Sequence, residues 1–536
     1  MGLSRLARTT RVRAIALAAS AGLLAFGVSG IGGGSALGAA ARPSAAAVQG
    51  PTLKLIAAQK TITVGKFGKQ GVFFDPGIWV ASLGGPFQLD VKRASYSQPL
   101  TISQVIRSPN GSVVRHPLPA WVLDSWNGLR HFLHITIRNH KGKIVAASNM
   151  TFCPAGYQLA RTNPGSVRTD NYPLQCSAFD PFSIGEVWGL PRGWAVDPSF
   201  FVQYNGLHLG TYFYTESIGP AYAHLFRIPA KDTSVTVKLK VVKARPCCGP
   251  FGCCAKARVP AHFVRVATAS HRPGATHPAL ASLPAVPTLK NPPVSALPDL
   301  IPLPSWGIST MNVKKSGETY LDFGATVWVA GHAELDVEGF RSNGSNTMQA
   351  YQYFWQNGRV IGRAHVGTMG FSNYNAWHFK QFAQYKLLNA HKKVVVVSRK
   401  IGFCIAPTDG IDMLLRHALW QPLYTGISGN CGSPSALWVQ ELMPLGWGDT
   451  YFQSVPYQSF EVTDLPNGTY YIEIIANPEH LLHEVSATND ISLRKVIIGG
   501  TPGHRTVRVP AFHGIDPEPA NGQFGVGAVP APSPGA

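Results

Sequence analysis

Charge is scarce in this chain of 536 residues. Asp, Glu, Lys and Arg together make 14% where about 25% is usual, and only 27 residues are acidic. Long charged helices, coiled coils and acidic disordered tails are therefore excluded as the main architecture. Beyond the N-terminal leader no stretch approaches about 20 uninterrupted apolar residues, so a helical membrane bundle is excluded as well. A glycine-rich phosphate loop and a Gly-x-Ser-x-Gly elbow are also missing, which removes two common enzyme classes. What is abundant is turn and core material: 55 Gly, 42 Pro, 45% hydrophobic and 10% aromatic residues. That is the composition of a turn-rich β protein with substantial cores, not of a disordered chain. The length suggests two domains, because a single core seldom grows past about 250 to 300 residues.

The first 40 residues carry Arg5, Arg8, Arg11 and Arg13 without an acid, then an apolar run from Ala14 to Val28, then Ala39 and Ala40. This reads as a secretory signal peptide. With no cysteine in it, a lipid anchor at a leader-proximal cysteine is unavailable. Losing its four arginines lowers the net charge from +20 to +16. An exported, basic, soluble protein is expected to be secreted or cell-wall-associated. Its charge favours an anionic cell-wall polymer or a membrane surface, with no nucleic acid as partner.

The chain reads as an internal duplication. Trp126, His140, Lys141, Val145, Phe152 and Cys153 recur without a gap 251 positions on, as Trp377, His391, Lys392, Val396, Phe403 and Cys404. Trp79-Val80-Ala81 matches Trp328-Val329-Ala330, Leu89-Asp90-Val91 matches Leu335-Asp336-Val337, and Gly193-Trp194 matches Gly446-Trp447. The expected organisation is a repeat over 50–260, a Pro-rich linker over 261–297, a second repeat over 298–498 and a disordered Pro/Gly tail over 499–536.

Short β-branched or aromatic runs such as Thr326–Val329, Val394–Val397 and Tyr470–Ile475, bounded by turn residues, predict strands. Val235 to Val241 alternates, apolar at odd positions, and predicts a half-exposed strand. Asn357-Gly358 predicts a tight hairpin turn. A weak 3.6-residue period appears only near Leu414 to Leu419. The expected fold is mainly β, two tandem sandwich-like modules.

Eight cysteines in an exported chain read first as disulfides. The duplication gives each repeat one pair, Cys153 with Cys176 and Cys404 with Cys431. Cys247, Cys248, Cys253 and Cys254 surround a Gly-Pro turn and suit either two disulfides or a soft metal, export favouring disulfides.

From Pro298-Asp299-Leu300 onward, an ordered set of segments resembles bacterial members of the lysyl oxidase family. The set runs through Met348 to Phe354, Trp377-His378-Phe379, Lys400-Ile401-Gly402-Phe403-Cys404, Gly446 to Tyr451, and Asn467-Gly468-Thr469-Tyr470. The match covers roughly residues 298 to 496, and the first repeat is a more diverged version. The resemblance implies copper held by histidines and a lysine tyrosylquinone, together oxidising primary amines. The family's His-x-His-x-His run reads here Tyr374-Asn375-Ala376-Trp377-His378, which leaves His378 as metal ligand. The quinone lysine falls on Lys400. The quinone tyrosine falls on Gly448, with Tyr451 three residues away. In the first repeat Asn127 and Asn149 stand for His378 and Lys400.

Other constellations read as structural. His480, His483 and Glu484 read as a surface loop pair rather than half a metal site, and Asp322, Glu334 and Asp336 as solvated strand residues. Two functions follow. One is a secreted structural or binding protein with a degenerate copper and quinone site. The other is a copper-dependent amine oxidase acting through the second repeat.

Overall fold

The computed structural model describes residues 50–68, 70–108, 112–156, 158–176, 180–244, 285–341, 345–371, 376–422 and 431–518, together with the backbone of 248–249 and 252–253. The expected leader and most of the expected linker lie outside these residues. Within them the chain is mainly β-stranded, with one short α-helix, Pro220–Leu225. The weak helical period near Leu414 forms turns instead. No helix among the described residues is long and apolar enough to cross a membrane.

Strand patterning follows the side-chain alternation of the sequence. In Ser234–Lys243, Val237, Leu239 and Val241 are buried and the intervening positions exposed. At the predicted hairpin, Asn357 and Gly358 both adopt positive φ, 51° and 72°, which joins Thr347–Gln356 to Arg359–Phe371.

Sheets form within each half of the chain, and the same orders recur. In the first half Ile144–Phe152, Leu129–Asn139, Gly210–Ile218 and Ser234–Lys243 lie side by side. In the second, Val394–Val397, Ala383–Asn389, Gly468–Ala476 and Ile491–Thr501 do so. Likewise Thr52–Ala57, Ile78–Leu83 and Trp194–Val196 have the order of Pro298–Pro302, Glu318–Gly331 and Trp447–Tyr451. Each half has its own apolar core, one around Phe74, Phe132 and Tyr214, the other around Phe323, Trp377 and Tyr385.

The pairing also corrects one detail of the sequence match. The Gly193 amide donates to Ser82 O and the Gly446 amide to Val329 O. Ser82 thus occupies the place of Val329, two residues off the register given by Trp79–Ala81 and Trp328–Ala330. A shift of two keeps every side chain on its face, which is why the short identities mislead without conflict.

The halves meet through Asp180, which is fully buried. Its Oδ2 accepts from Thr326 Oγ1 (2.6 Å) and Trp306 Nε1 (3.1 Å), and its Oδ1 from the Phe182 amide (2.7 Å). Backbone bonds link Ile184 and Gly185 to Ile411, and Met413 to Gly185. The Tyr172 and Trp420 rings stack 5.5 Å apart.

Two boundary expectations are revised. Residues 285–297, read as linker, dock on the second half: Leu289, Ala296 and Leu297 pack with Phe354 and Ala364. The expected disordered tail instead begins as a hairpin, Ile491–Thr501 with His504–Arg508. Its Arg505 is buried and donates to Thr463 O, Asn467 Oδ1 and Gly500 O. Phe512 then packs against Phe182 and Tyr96 of the first half. The turn residues Gly499, Gly500, Pro502 and Gly503 mark this hairpin, and they were what made the segment read as low-complexity tail.

Cys153 is joined to Cys176 and Cys404 to Cys431. In the remaining cluster Cys248–Gly249 pairs with Gly252–Cys253 through the backbone, while the four sulfurs lie outside the described residues.

Candidate functional site

Lys400 lies in the turn between Val394–Val397 and Gly402–Phe403. It is 9% exposed. Its Nζ donates to Gly402 O (3.2 Å) and stands 4.1 Å from the centre of the Tyr451 ring and 4.9 Å from that of Phe403. An ammonium over aromatic faces is attracted by their quadrupoles. Burial nevertheless lowers its pKa to about 8, against the opposing pull of Asp449.

Trp447–Tyr451 supplies the opposite wall. Side chains alternate along it, so Asp449 and Tyr451 face Lys400 while Gly448 and Thr450 face away. Thr450 Oγ1 meets Thr326 Oγ1 at 2.8 Å. A Cβ on Gly448 would come within 2.8 Å of Thr326 Cγ2 and 3.1 Å of Ile411, so the strand packs too closely there for any side chain. Gly448, the aligned quinone position, therefore points away from the lysine, and Tyr451 is the ring that meets it.

The Tyr451 hydroxyl is fully engaged: it accepts from the Cys404 amide (2.8 Å) and donates to Cys404 O (3.0 Å). It thereby pins the chain beside the Cys404–Cys431 bridge. Burial first, then Asp449, Tyr385 and Glu441, raise its pKa well above the usual value. A phenol held neutral in this way is a poor metal ligand.

Sequence reasoning missed the acids around this corner. Asp449 has one oxygen, Oδ2, without a partner, and burial raises its pKa well above the normal range although Lys400 opposes this. Glu441 accepts from the Ile405 amide (3.0 Å) and is likewise raised, by burial first. Asp409 has both oxygens unpartnered and is pushed up to about 7, mainly by burial. From the first half, Glu186 is buried and raised well above its usual value, by burial and then by Asp409 and Asp412. The signal available was composition: with few acids and a large core, a buried carboxyl needs a structural reason.

His378, on Trp377–Lys380, is half-buried, with Nδ1 against Ala376 O (3.1 Å). Burial lowers its pKa, and the nearby Lys400 charge lowers it further while Ala376 O raises it. The structure thus brings His378, Lys400 and Tyr451 into one corner. Among the described residues it does not gather further imidazoles there: His365 Nε2 is bound to Gln349 Oε1 (2.8 Å) and His391 occupies an exposed turn. Tyr374, Asn375 and Tyr424 lie outside the described residues. Among the described residues no three His, Cys, Asp or Glu side chains are grouped to hold a metal. Copper(II), which favours several nitrogen donors, does not fit a site with one imidazole and an engaged phenol.

The remaining candidates are structural. His483 packs edge-on to Phe354, and Glu484 accepts from the Leu300 amide and Asn477 Nδ2. Asp336 is not solvated as expected but fully buried, accepting from Trp355 Nε1 (2.7 Å) and Gln440 Nε2 (3.1 Å). Burial raises Asp322 to about 6.

The lysyl oxidase family model matches residues 368–502. That is about a quarter of the chain, and it contains His378, Lys400, Cys404, Asp449 and Tyr451. The likeness covers this segment of the chain. No curated protein matches the chain.

Proposed function

We propose that the protein is an exported, duplicated relative of lysyl oxidase that serves as an extracellular or wall-associated binding protein, its copper and quinone chemistry lost. The carrying observation is the donor set of the Lys400 corner. Among the described residues one imidazole remains there, and the tyrosine oxygen is spent on the Cys404 backbone. The duplication is supported by the recurring sheet orders and by one disulfide in each half. In this reading the β framework persists where the reactive groups do not, as folds commonly outlast a function. Export is supported by the basic, acid-free leader and by the disulfides.

The oxidase reading draws on one observation, the contact of Lys400 Nζ with the Tyr451 ring. The two readings part on purified, copper-loaded protein. The binding-protein reading expects no stoichiometric copper, no phenylhydrazine-reactive chromophore and no hydrogen peroxide from primary amines. All three present, and lost on Lys400→Ala, would restore the oxidase.

A further inference from the structure

The five-stranded sheet of the first half has one face in the core and one uncovered by any described residue. Facing inward are Ile62, Val64, Val237, Leu239 and Tyr214. Cross-strand register then fixes the outward rows. Thr61, Lys238, Phe213 and Arg138 stand side by side on four successive strands. The next row is Thr236, Thr215 and Thr136, with the first two hydroxyls 2.8 Å apart. Beyond it come Ser234, Ser217 and His134, with the serine hydroxyls 3.0 Å apart and His134 bound to Asn149. On the other side Lys240 lies between Thr63 and Thr211. None of these outward positions is acidic.

The corresponding face of the second half carries one acid among its lysines, with Lys495 beside Tyr471 on the neighbouring strand. Lys386 stands beside Glu473 across the strand pair, and Lys392 lies over the Tyr471 ring. The first-half face differs in that its named positions include no acid and its hydroxyls are paired in rows, beside the exposed ring of Phe213 at 40% exposure.

We propose that this face binds an acidic polysaccharide, with a sugar ring lying on Phe213 and its carboxylates held by Lys238 and Arg138. Adjacent strands are spaced by about 4.8 Å, close to the length of one pyranose, so successive strands offer one row of contacts per sugar. Lys238 and Arg138 flank Phe213 from the two neighbouring strands, so cations bracket its ring. The Thr and Ser rows are already paired with one another and can exchange those bonds for sugar hydroxyls without stranding a donor. The proposal rests on the binding-protein reading and gives it a ligand class and a place. Charge complementarity favours the polyanion, and the aromatic and hydroxyl content favours a glycan over a bare one.

The test uses the full chain on immobilised polygalacturonate, with dextran, inorganic polyphosphate and phosphatidylglycerol vesicles as the other arms. Expected is polygalacturonate binding that weakens by about tenfold or more in the Lys238→Gln, Arg138→Gln double variant as two charge contacts go. Phe213→Ser should weaken it by about fivefold and leave polyphosphate binding unchanged. Lys386→Gln with Lys495→Gln in the second half should leave polygalacturonate binding as it was. Thermal unfolding checks that each variant is folded. Indifference to Phe213→Ser, equal losses from the second-half variant, or a Phe213 dependence seen only with vesicles would each overturn the proposal. Peroxide release from amines would overturn the loss of oxidase chemistry and leave this result standing.

Discussion

The Lys400 corner and its counterpart in the first half share a strand frame and little else. Where the second half places Asp409, Gly448 and Asp449, strand pairing puts Ala160, Ala195 and Val196 in the first. Lys400 becomes Asn149, bonded at the surface to His134 (2.8 Å), and His378 becomes the exposed Asn127. At these three positions the first half has small apolar residues, and its own buried acids, Asp197 and Glu216, stand at other positions. Asp409 and Asp449 are thus not needed for the strand frame, and their burial is a cost that the rest of that half offsets.

That contrast is sharpest in its pH dependence. Burial raises the Asp409 carboxyl to about 7, so its contribution to stability is intact below about pH 4 and lost as pH rises through 7. A shift of this size corresponds to at most about 4 kcal/mol. Asp409→Asn should therefore raise the denaturation midpoint at pH 8 and change little at pH 4, whereas Ala160→Ser should show no pH dependence. Equal effects at both pH values would show that the carboxyl is already ionised in the fold.

The disulfides should behave alike in both halves, so they test the comparison from the other side. Closing loops with separations of 23 and 27 residues is worth about 3 kcal/mol each in the chain-entropy model. Replacing Cys153 and Cys176 by Ser, or Cys404 and Cys431, should cost similar amounts in urea unfolding. A much larger loss for the second pair would tie that bridge to the Tyr451 clamp.

Tyr451→Phe leaves the Cys404 amide and carbonyl without their partner and should cost about 2 kcal/mol. Pro198, which the glycine-tryptophan match puts in its place, should tolerate Ala within about 0.5 kcal/mol. Smaller than for Tyr451→Phe is the loss expected for Gly448→Ala. Its Cβ meets Thr326 at 2.8 Å, for a loss of about 1 to 2 kcal/mol, although the first half already carries alanine at the equivalent Ala195. Both are read by thermal unfolding, and a neutral Gly448→Ala would mean that the strand can draw back.

Much of the frame was legible because it depends on local rules. The alternation of Val235 to Val241, the Asn357-Gly358 turn and the two disulfide pairs all followed from spacing and from the short identities between the two halves. The site was legible only in part. Counting along an alignment placed the ring position at Gly448, but a strand turns successive side chains to opposite faces, so a residue an odd number of places away meets Lys400 instead. The acids were hidden because nothing in a strand's own pattern distinguishes a carboxyl facing water from one facing a second half far away in sequence. Asp180 is the clearest case: its partners, Thr326 and Trp306, lie beyond the end of its own half.

Phe512 has a consequence for the order of events in folding. It covers Phe182 and Tyr96, while Glu518 accepts from the Ile308 amide and pairs with Arg494, whose guanidinium lies over the Phe182 and Phe512 rings. A chain delivered from its N-terminus can build the first core early, yet it must hold this aromatic corner open until the last described residues arrive. Contacts of such long sequence span are slow to find. The corner is therefore a latch rather than a nucleus, and the moment it shuts is set by the delivery of the chain rather than by the strength of the contact.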